Sequence, residues 1–370
     1  MGKIVYILGA GFSVPNEIPQ QNSLIKKAFE KDPGFYQDMR KFYEAFYLPT
    51  QRVTAKSISK VSLEDIFSLL DRSIKSAHRY RGFTVTDFIE LQNKLLSKLA
   101  ILIGTYEPNS YVMKFAQKII DKRMVLGHDS DQISIISLNW DNLLDYAITK
   151  LSRSYNRFGK NVAIDYCMYD YSFKKQFYPS LHYVPSIFRK RDGAYNIKLI
   201  KLHGSVNWNI CQACQKVYVE NRFIDYSNLV PPYKFICNSC KVNLEYFMIS
   251  PTFMKDFQAN HIKNIWHNAF IDLQEATKII FIGYSFPLAD FEFKIMLSQA
   301  IRRENIERDN IRVIDYSKAN PEGSRKRSSK VYTELKERYS SFFGRNVRFY
   351  NEGVVKYIYN EMDKDLDEIH

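Results

Sequence analysis

The sequence predicts an α/β protein: a parallel sheet interrupted by a large helical insertion and carrying a small four-cysteine zinc ribbon. Three observations carry this reading. Short, almost wholly apolar runs at residues 3–8, 132–138, 197–202, 278–284 and 311–314 each end in glycine or polar residues, as strands buried on both faces do. Between the first two runs, about a hundred residues change to the three-and-four spacing of amphipathic helices. Two Cys-x-x-Cys knuckles then follow the third run.

The composition sets bounds on the rest. A chain of 370 residues can bury a sizeable core and is long enough for two domains, or for one domain with insertions. The net charge of +13 is spread along the chain, with small clusters at Arg189 to Arg191 and Arg325 to Lys330 that read as solvated loops. Charge alone therefore does not mark a nucleic-acid groove, and direct nucleic-acid binding is not expected. No apolar run reaches membrane-spanning length, the N-terminus lacks the succession of a signal peptide, and Tyr6 stands where a myristoylation motif on Gly2 needs Ser or Thr. A cytoplasmic protein is expected, and five cysteines in that compartment argue against disulfides.

The first strand runs into Gly9-Ala10-Gly11-Phe12-Ser13. Gly9 and Gly11 permit a tight turn and close approach of a ligand, and a helix beginning near Phe12 or Ser13 would aim its first N–H groups at a pyrophosphate. The third glycine of the dinucleotide fingerprint is replaced by Val14. Residues 22–127 read as helices. Leu63, Ile66, Phe67 and Leu70 form one stripe behind a capping box of Ser62 and Asp65, and Phe88, Leu91, Leu95, Leu99 and Leu102 form another. Both stripes read as core faces, and the insertion is placed to form a lid or an oligomer surface.

The sheet resumes at residues 132–138 and stops at Asn139-Trp140-Asp141-Asn142. A polar cluster at the carboxyl end of a parallel strand is where open α/β sheets hold ligands, although Asn139 or Asp141 serves equally well as a helix cap. Residues 151–195 read as irregular and aromatic. The run 197–202 delivers His203 beside Gly204, which makes His203 a candidate acid or base. Cys211 and Cys214 stand 22 residues before Cys237 and Cys240, the pattern of a closed structural zinc site with no coordination place left for substrate. Cys167 has no partner pattern and reads as buried. Residues 248–252 form a short strand or loop and 262–273 a helix. The run 278–284 ends at Gly283-Tyr284-Ser285, with Asp290 following, and 311–314 ends at Asp315, a candidate acceptor for a ribose hydroxyl. A basic, Ser-rich loop, a helix, a strand near 347–350 and a closing helix complete the chain.

Taken in order, the GAGxS turn, the Asn-x-Asp cluster, the strand ending in His-Gly, the paired knuckles and the later Gly-x-Ser turn resemble the sirtuin superfamily over residues 3–315. The resemblance implies a Rossmann-like core over residues 1–21, 129–205 and 248–320, with a helical insertion at 22–128, a zinc ribbon at 206–247 and a C-terminal extension at 321–370. It further implies that Gly9, Ala10, Gly11, Phe12 and Ser13 meet the phosphates of NAD+, that Asn139 and Asp141 lie by the nicotinamide ribose, and that His203 is the catalytic histidine. Gly283, Tyr284 and Ser285, with Asp315, would hold the adenosine half. Two departures matter: Glu17-Ile18-Pro19-Gln20-Gln21 replaces the deacylases' GIPxFR, and Ile249-Ser250-Pro251-Thr252-Phe253 replaces their substrate strand.

The sequences SLNWD, KLHGS and GYSFPLAD look like the bacterial sirtuin-like branch associated with antiphage defence. That resemblance implies an NAD+ glycohydrolase releasing nicotinamide and ADP-ribose, with a deacylase, an ADP-ribosyltransferase or a non-catalytic NAD-sensing subunit as the alternatives. It also implies regulation by homo-oligomerisation and by a separately encoded partner, such as a HerA-type ATPase translocase.

Overall fold

Ile4–Leu8 (β1) is buried at every position, with parallel neighbours on both sides. Tyr6 lies opposite Ile135 on one flank and Ile280 on the other. Burial on both faces is why the run lacks polar alternation. The structure, a computed structural model, describes residues 2–19, 21–31, 33–47, 52–58, 60–128, 130–157, 161–168, 171–173, 182–183, 195–220, 236–252, 259–287, 290–301, 310–315, 329–344 and 347–369. The clusters at 189–191 and 325–328 lie outside them.

After β1 comes one helical turn, Ala10–Ser13 (α1), and a 3-10 turn at Val14–Asn16. The turn starts earlier than the sequence suggested and is too short to carry a substantial dipole; Pro15 and the left-handed Glu17 at φ 63° end it. The insertion comprises Gln21–Lys31 (α2), Pro33–Tyr47 (α3), Ala55–Ile58 (α4), Leu63–Ser76 (α5), Val85–Gly104 (α6) and Ser110–Leu126 (α7). The predicted stripes on α5 and α6 are buried throughout. Ser62 Oγ accepts from the Asp65 N–H at 3.0 Å, and the full two-way capping box is seen at Thr84 and Asp87 of α6. Helices α2 to α6 share their own apolar core, joined by Val206 and Met248, whereas α7 packs Tyr111, Val112, Phe115 and Ile119 onto the main sheet.

Ile133–Ser137 (β2) leads into Leu143–Arg157 (α8), then Val162–Asp165 (β3), Tyr171–Phe173 (β4) and His182–Tyr183 (β5). Here the sequence reading needs correction: residues 151–157 complete α8, and β3 is an edge strand paired with Tyr195–Lys201 (β6). Three apolar or small residues amid aromatics give no local strand signal, and the strand owes its place to that long-range pairing. Gly204–Ile210 (β7), Val217–Val219 (β8) and Glu245–Met248 (β9) complete a second, five-stranded sheet in the order β5-β4-β8-β7-β9. There follow Asn260–Glu275 (α9), Lys278–Ile282 (β10), Phe291–Ala300 (α10), Ile311–Ile314 (β11), Ser329–Phe343 (α11), Val347–Tyr350 (β12), Val354–Asn360 (α12) and Met362–Asp367 (α13).

The parallel sheet has seven strands in the order β12-β11-β10-β1-β2-β6-β3, so the C-terminal strand β12 is an integral edge. Successive strands leave β1 first toward β2 and later toward β10. The topological switch point, where open α/β sheets form their ligand crevice, thus lies between β1 and β10. At the opposite end of the sheet, Lys3 Nζ meets Asp272 at 2.5 Å and Glu275 at 2.8 Å, and Lys278 Nζ meets Asp365 at 2.9 Å. These pairs, with Asp272 and Asp365 buried and Glu275 exposed, fasten α9 and α13 to the strand starts. Among the described residues, no helix is long and apolar enough to cross a membrane.

Candidate active site

At the switch point two glycine turns touch backbone to backbone. The Gly11 N–H donates to the Gly283 carbonyl at 2.7 Å, and the Gly9 N–H donates to Ile282 at 3.0 Å. A Cβ on Gly11 would lie 2.7 Å from Gly283 Cα, and one on Gly283 would lie 2.2 Å from the Phe12 nitrogen. Gly283 also has φ +63°, a conformation that side chains resist. These contacts correct the idea of a helix start presenting a fan of open N–H groups. The amides of Gly9 and Gly11 are committed across the crevice, and that of Phe12 bonds the Gly9 carbonyl at 2.9 Å. The Phe12 ring points into the core against Tyr111 and Phe115, and Tyr111 Oη donates to the Phe12 carbonyl at 2.6 Å.

The polar cluster after β2 folds over this turn. Asn139 Nδ2 donates to the Gly9 carbonyl at 2.9 Å and to Ser13 Oγ at 3.2 Å, while the Ser13 hydroxyl donates to Asp141 Oδ2 at 2.7 Å. Since a carbonyl only accepts, the Asn139 amide orientation is fixed, and Oδ1 is its remaining acceptor. Asp141 Oδ1 accepts the Leu143 N–H at 3.3 Å, so the helix-capping role and a place in the site coexist in one residue. Burial pushes the Asp141 carboxyl above its ordinary value, and the Lys201 charge and the Ser13 hydroxyl pull it back only in part.

His203 sits in the break between β6 and β7, where Gly204 takes φ +72° and a Cβ would lie 2.2 Å from the Phe247 carbonyl. Its Nδ1 lies 3.2 Å from the Leu138 carbonyl, which sets the hydrogen on Nδ1 and makes Nε2 the ring's proton acceptor. The main chain is pinned as well: Ile249 N–H donates to the His203 carbonyl at 2.9 Å.

One cavity of about 440 Å³ brings these segments together. Gly9, Ala10, Gly11, Ser13, Asn139, Asp141, His203, Gly283, Tyr284 and Ser285 all line it. Phe12 and Asp315 are not among its lining residues; Asp315 is buried at the end of β11, its N–H donating to Tyr350 at 3.0 Å. The sequence reading missed Ser23, Leu24, Glu64 and Ile103, which the insertion contributes to the wall, and Trp140, which packs against the insertion's core. The period-three spacing marked Ile103's helix but could not show which turn faces the sheet. Asp290 also lines the cavity and accepts from Tyr284 Oη at 2.9 Å.

The knuckles lie beyond β7. Cys211, Cys214, Cys237 and Cys240 place their Sγ atoms within 4.8 Å of one another, and Cys214 Sγ stands 3.7 Å from Cys237 Sγ. That spacing is far from a disulfide and matches the edge of a tetrahedron around zinc, about 3.8 Å for Zn–S bonds near 2.3 Å. Burial raises the Cys237 thiol, but the Tyr218 hydroxyl at 3.3 Å and the Cys240 amide outweigh it and hold it down to about 6. The four cysteines therefore fit a closed structural zinc site.

No family model matches this chain, and no curated protein matches it. Among solved structures, the chain is similar to a Sir2 homologue in complex with NAD, at 14% identity and TM-score 0.45, over 99% of this chain and 90% of that one. It is similar also to a Sir2 homologue mutant in complex with ADP-ribose, at 13% identity and TM-score 0.43, over 99% and 92% of the two chains. A third, Sir2Tm bound to a propionylated peptide, has 14% identity and TM-score 0.40, over 98% and 93%.

Proposed function

We propose that this protein is an NAD+ glycohydrolase of the sirtuin superfamily, cleaving the nicotinamide–ribose bond to give nicotinamide and ADP-ribose. The observation that carries the reading is the single cavity at the switch point, onto which the glycine turn, Asn139, Asp141, His203 and the Gly283 turn all open. The nucleotide would lie across the β1–β10 crevice, its phosphates by Ala10 and Ser13 and its adenosine half by Tyr284 and Ser285. Asp141 would accept a hydrogen bond from the nicotinamide amide. The glycosidic bond breaks with its electron pair passing to the pyridinium nitrogen, so nicotinamide leaves neutral. Water then forms the new bond to C1′, held by Asn139 Oδ1, and its proton passes to His203 Nε2. General-base help of this kind contributes about a hundred- to ten-thousandfold.

Hydrolysis is favoured over acyl transfer because Ser23, Leu24, Glu64 and Ile103 of the insertion wall the cavity, and because Pro251 and Thr252 stand in the altered strand segment. Incubation with NAD+ alone tests the choice. Equal release of nicotinamide and ADP-ribose, lost in His203→Ala, is expected. Turnover that requires an acylated peptide, or ADP-ribose appearing on a protein acceptor, would favour the deacylase or transferase instead. We further propose an antiphage role as an NAD-depleting effector, regulated by self-assembly and by a partner such as a HerA-type ATPase. Full activity of a purified monomer that ignores the neighbouring gene product would overturn that regulation.

A further inference from the structure

Behind the Asn139–Asp141 segment lies a buried charge pair that the proposed chemistry does not use. Lys201, at the end of β6 and two residues before His203, is 1% exposed, and Asp145, in the first turn of α8, is 1% exposed. Lys201 Nζ lies 3.1 Å from Asp145 Oδ2 and also donates to the main-chain carbonyl of Asp141. Tyr166, fully buried just past β3, donates from its hydroxyl to the other Asp145 oxygen at 2.6 Å. Both carboxylate oxygens are thus engaged, and the ammonium is fixed from behind while it grips the turn in front.

Core stability does not call for this arrangement, since two apolar side chains of similar volume would serve at least as well without the cost of desolvating two charges. An ammonium supplies what they lack, a directed grip on the main-chain carbonyl of Asp141. The groups facing Asp141 are the Ser13 hydroxyl from α1, Tyr111 from α7, Asp145 from α8 and Lys201 from β6, with His203 and Glu64 lining the same cavity. Lys201 is the basic side chain in that set hydrogen-bonded to the turn, and it opposes the upward push that burial gives the Asp141 carboxyl.

We propose that Lys201, clamped by Asp145 and Tyr166, is a positioning residue that holds the 139–141 turn against the cavity during turnover. The grip on the turn is independent of the NAD+ glycohydrolase reading; its effect on turnover rests on that reading. The test uses the double variant Lys201→Met/Asp145→Leu, which removes both charges together and leaves none orphaned, with Tyr166→Phe as a milder second variant.

Two quantities are read on the full chain: amide hydrogen exchange across residues 139–143, and kcat, KM and the pH profile of nicotinamide release. In the double variant, exchange across 139–143 should quicken by about tenfold while β1 and β10 keep their protection. The value of kcat should fall by at least about tenfold with KM nearly unchanged. Loss of the cation raises the Asp141 pKa, so the acid limb of kcat should move to higher pH. Tyr166→Phe should shift exchange and kcat in the same directions by a smaller amount. Wild-type exchange across 139–143 with an unmoved acid limb in the double variant would overturn the proposal. If the wild-type protein releases no nicotinamide either alone or with the neighbouring gene product, the functional reading fails, and the exchange comparison alone decides whether the clamp exists.

Discussion

Gly283 at φ +63° shows how narrowly the crevice is specified, because a methyl group there meets the Phe12 nitrogen at 2.2 Å. Gly283→Ala is expected to cost about 1–3 kcal/mol in backbone strain alone and to abolish nicotinamide release by spreading the two turns. Urea unfolding and a turnover assay on the same preparation check both. Asp141 makes the opposite trade. Burial raises its folded pKa above the unfolded value, so the unfolded chain ionises first and stability falls as pH rises through that interval. Asp141→Asn removes this loss. Its stability relative to wild type should therefore improve from pH 3 to pH 7, read from denaturant midpoints, while catalysis is lost. Residues such as Gly9, Gly11 and His203 were legible in the sequence because their chemistry is distinctive beside a strand end. The Lys201–Asp145 pair was not, since 56 residues separate partners that only β6 and α8 bring together.

Among the elements, the zinc knuckles were readable from spacing alone, whereas β3 was not, because its apolar run is short and its stability comes from pairing with β6. The two-way cap at Thr84 and Asp87 is also present in plain sequence order before the Phe88 stripe, three residues apart as a capping box requires. The knuckles and His203 are mechanically linked: β7 begins immediately after His203 and ends at Ile210, next to Cys211, and Ile249, just past β9, donates to the His203 carbonyl. Stripping zinc, or replacing Cys237 by Ser, should therefore loosen the five-stranded sheet and displace His203 while the parallel sheet survives. Metal analysis should give one zinc per chain in the wild type. Its loss should cost on the order of several kcal/mol, seen as an early separate unfolding transition with turnover lost in parallel.

At the scale of the whole molecule, the order of apolar runs was enough to infer a parallel sheet with an insertion, since strands buried on both faces announce themselves by composition. The division of the insertion was not readable. Helices α2 to α6 form a separate core, and α7 covers the main sheet, a distinction that depends on which faces meet. The consequence is a cavity with a floor from the turns that follow β1, β2, β6 and β10 and a wall from the insertion, so the helices border the candidate site directly.

The proposed glycohydrolase activity places cleavage of the NAD+ glycosidic bond in that cavity. The most direct test measures nicotinamide release and ADP-ribose binding on wild type and Asn139→Ala side by side. Release by wild type, with Asn139→Ala still binding ADP-ribose but releasing at least about a hundredfold less nicotinamide, is the expected result. Undiminished release by Asn139→Ala would contradict the account.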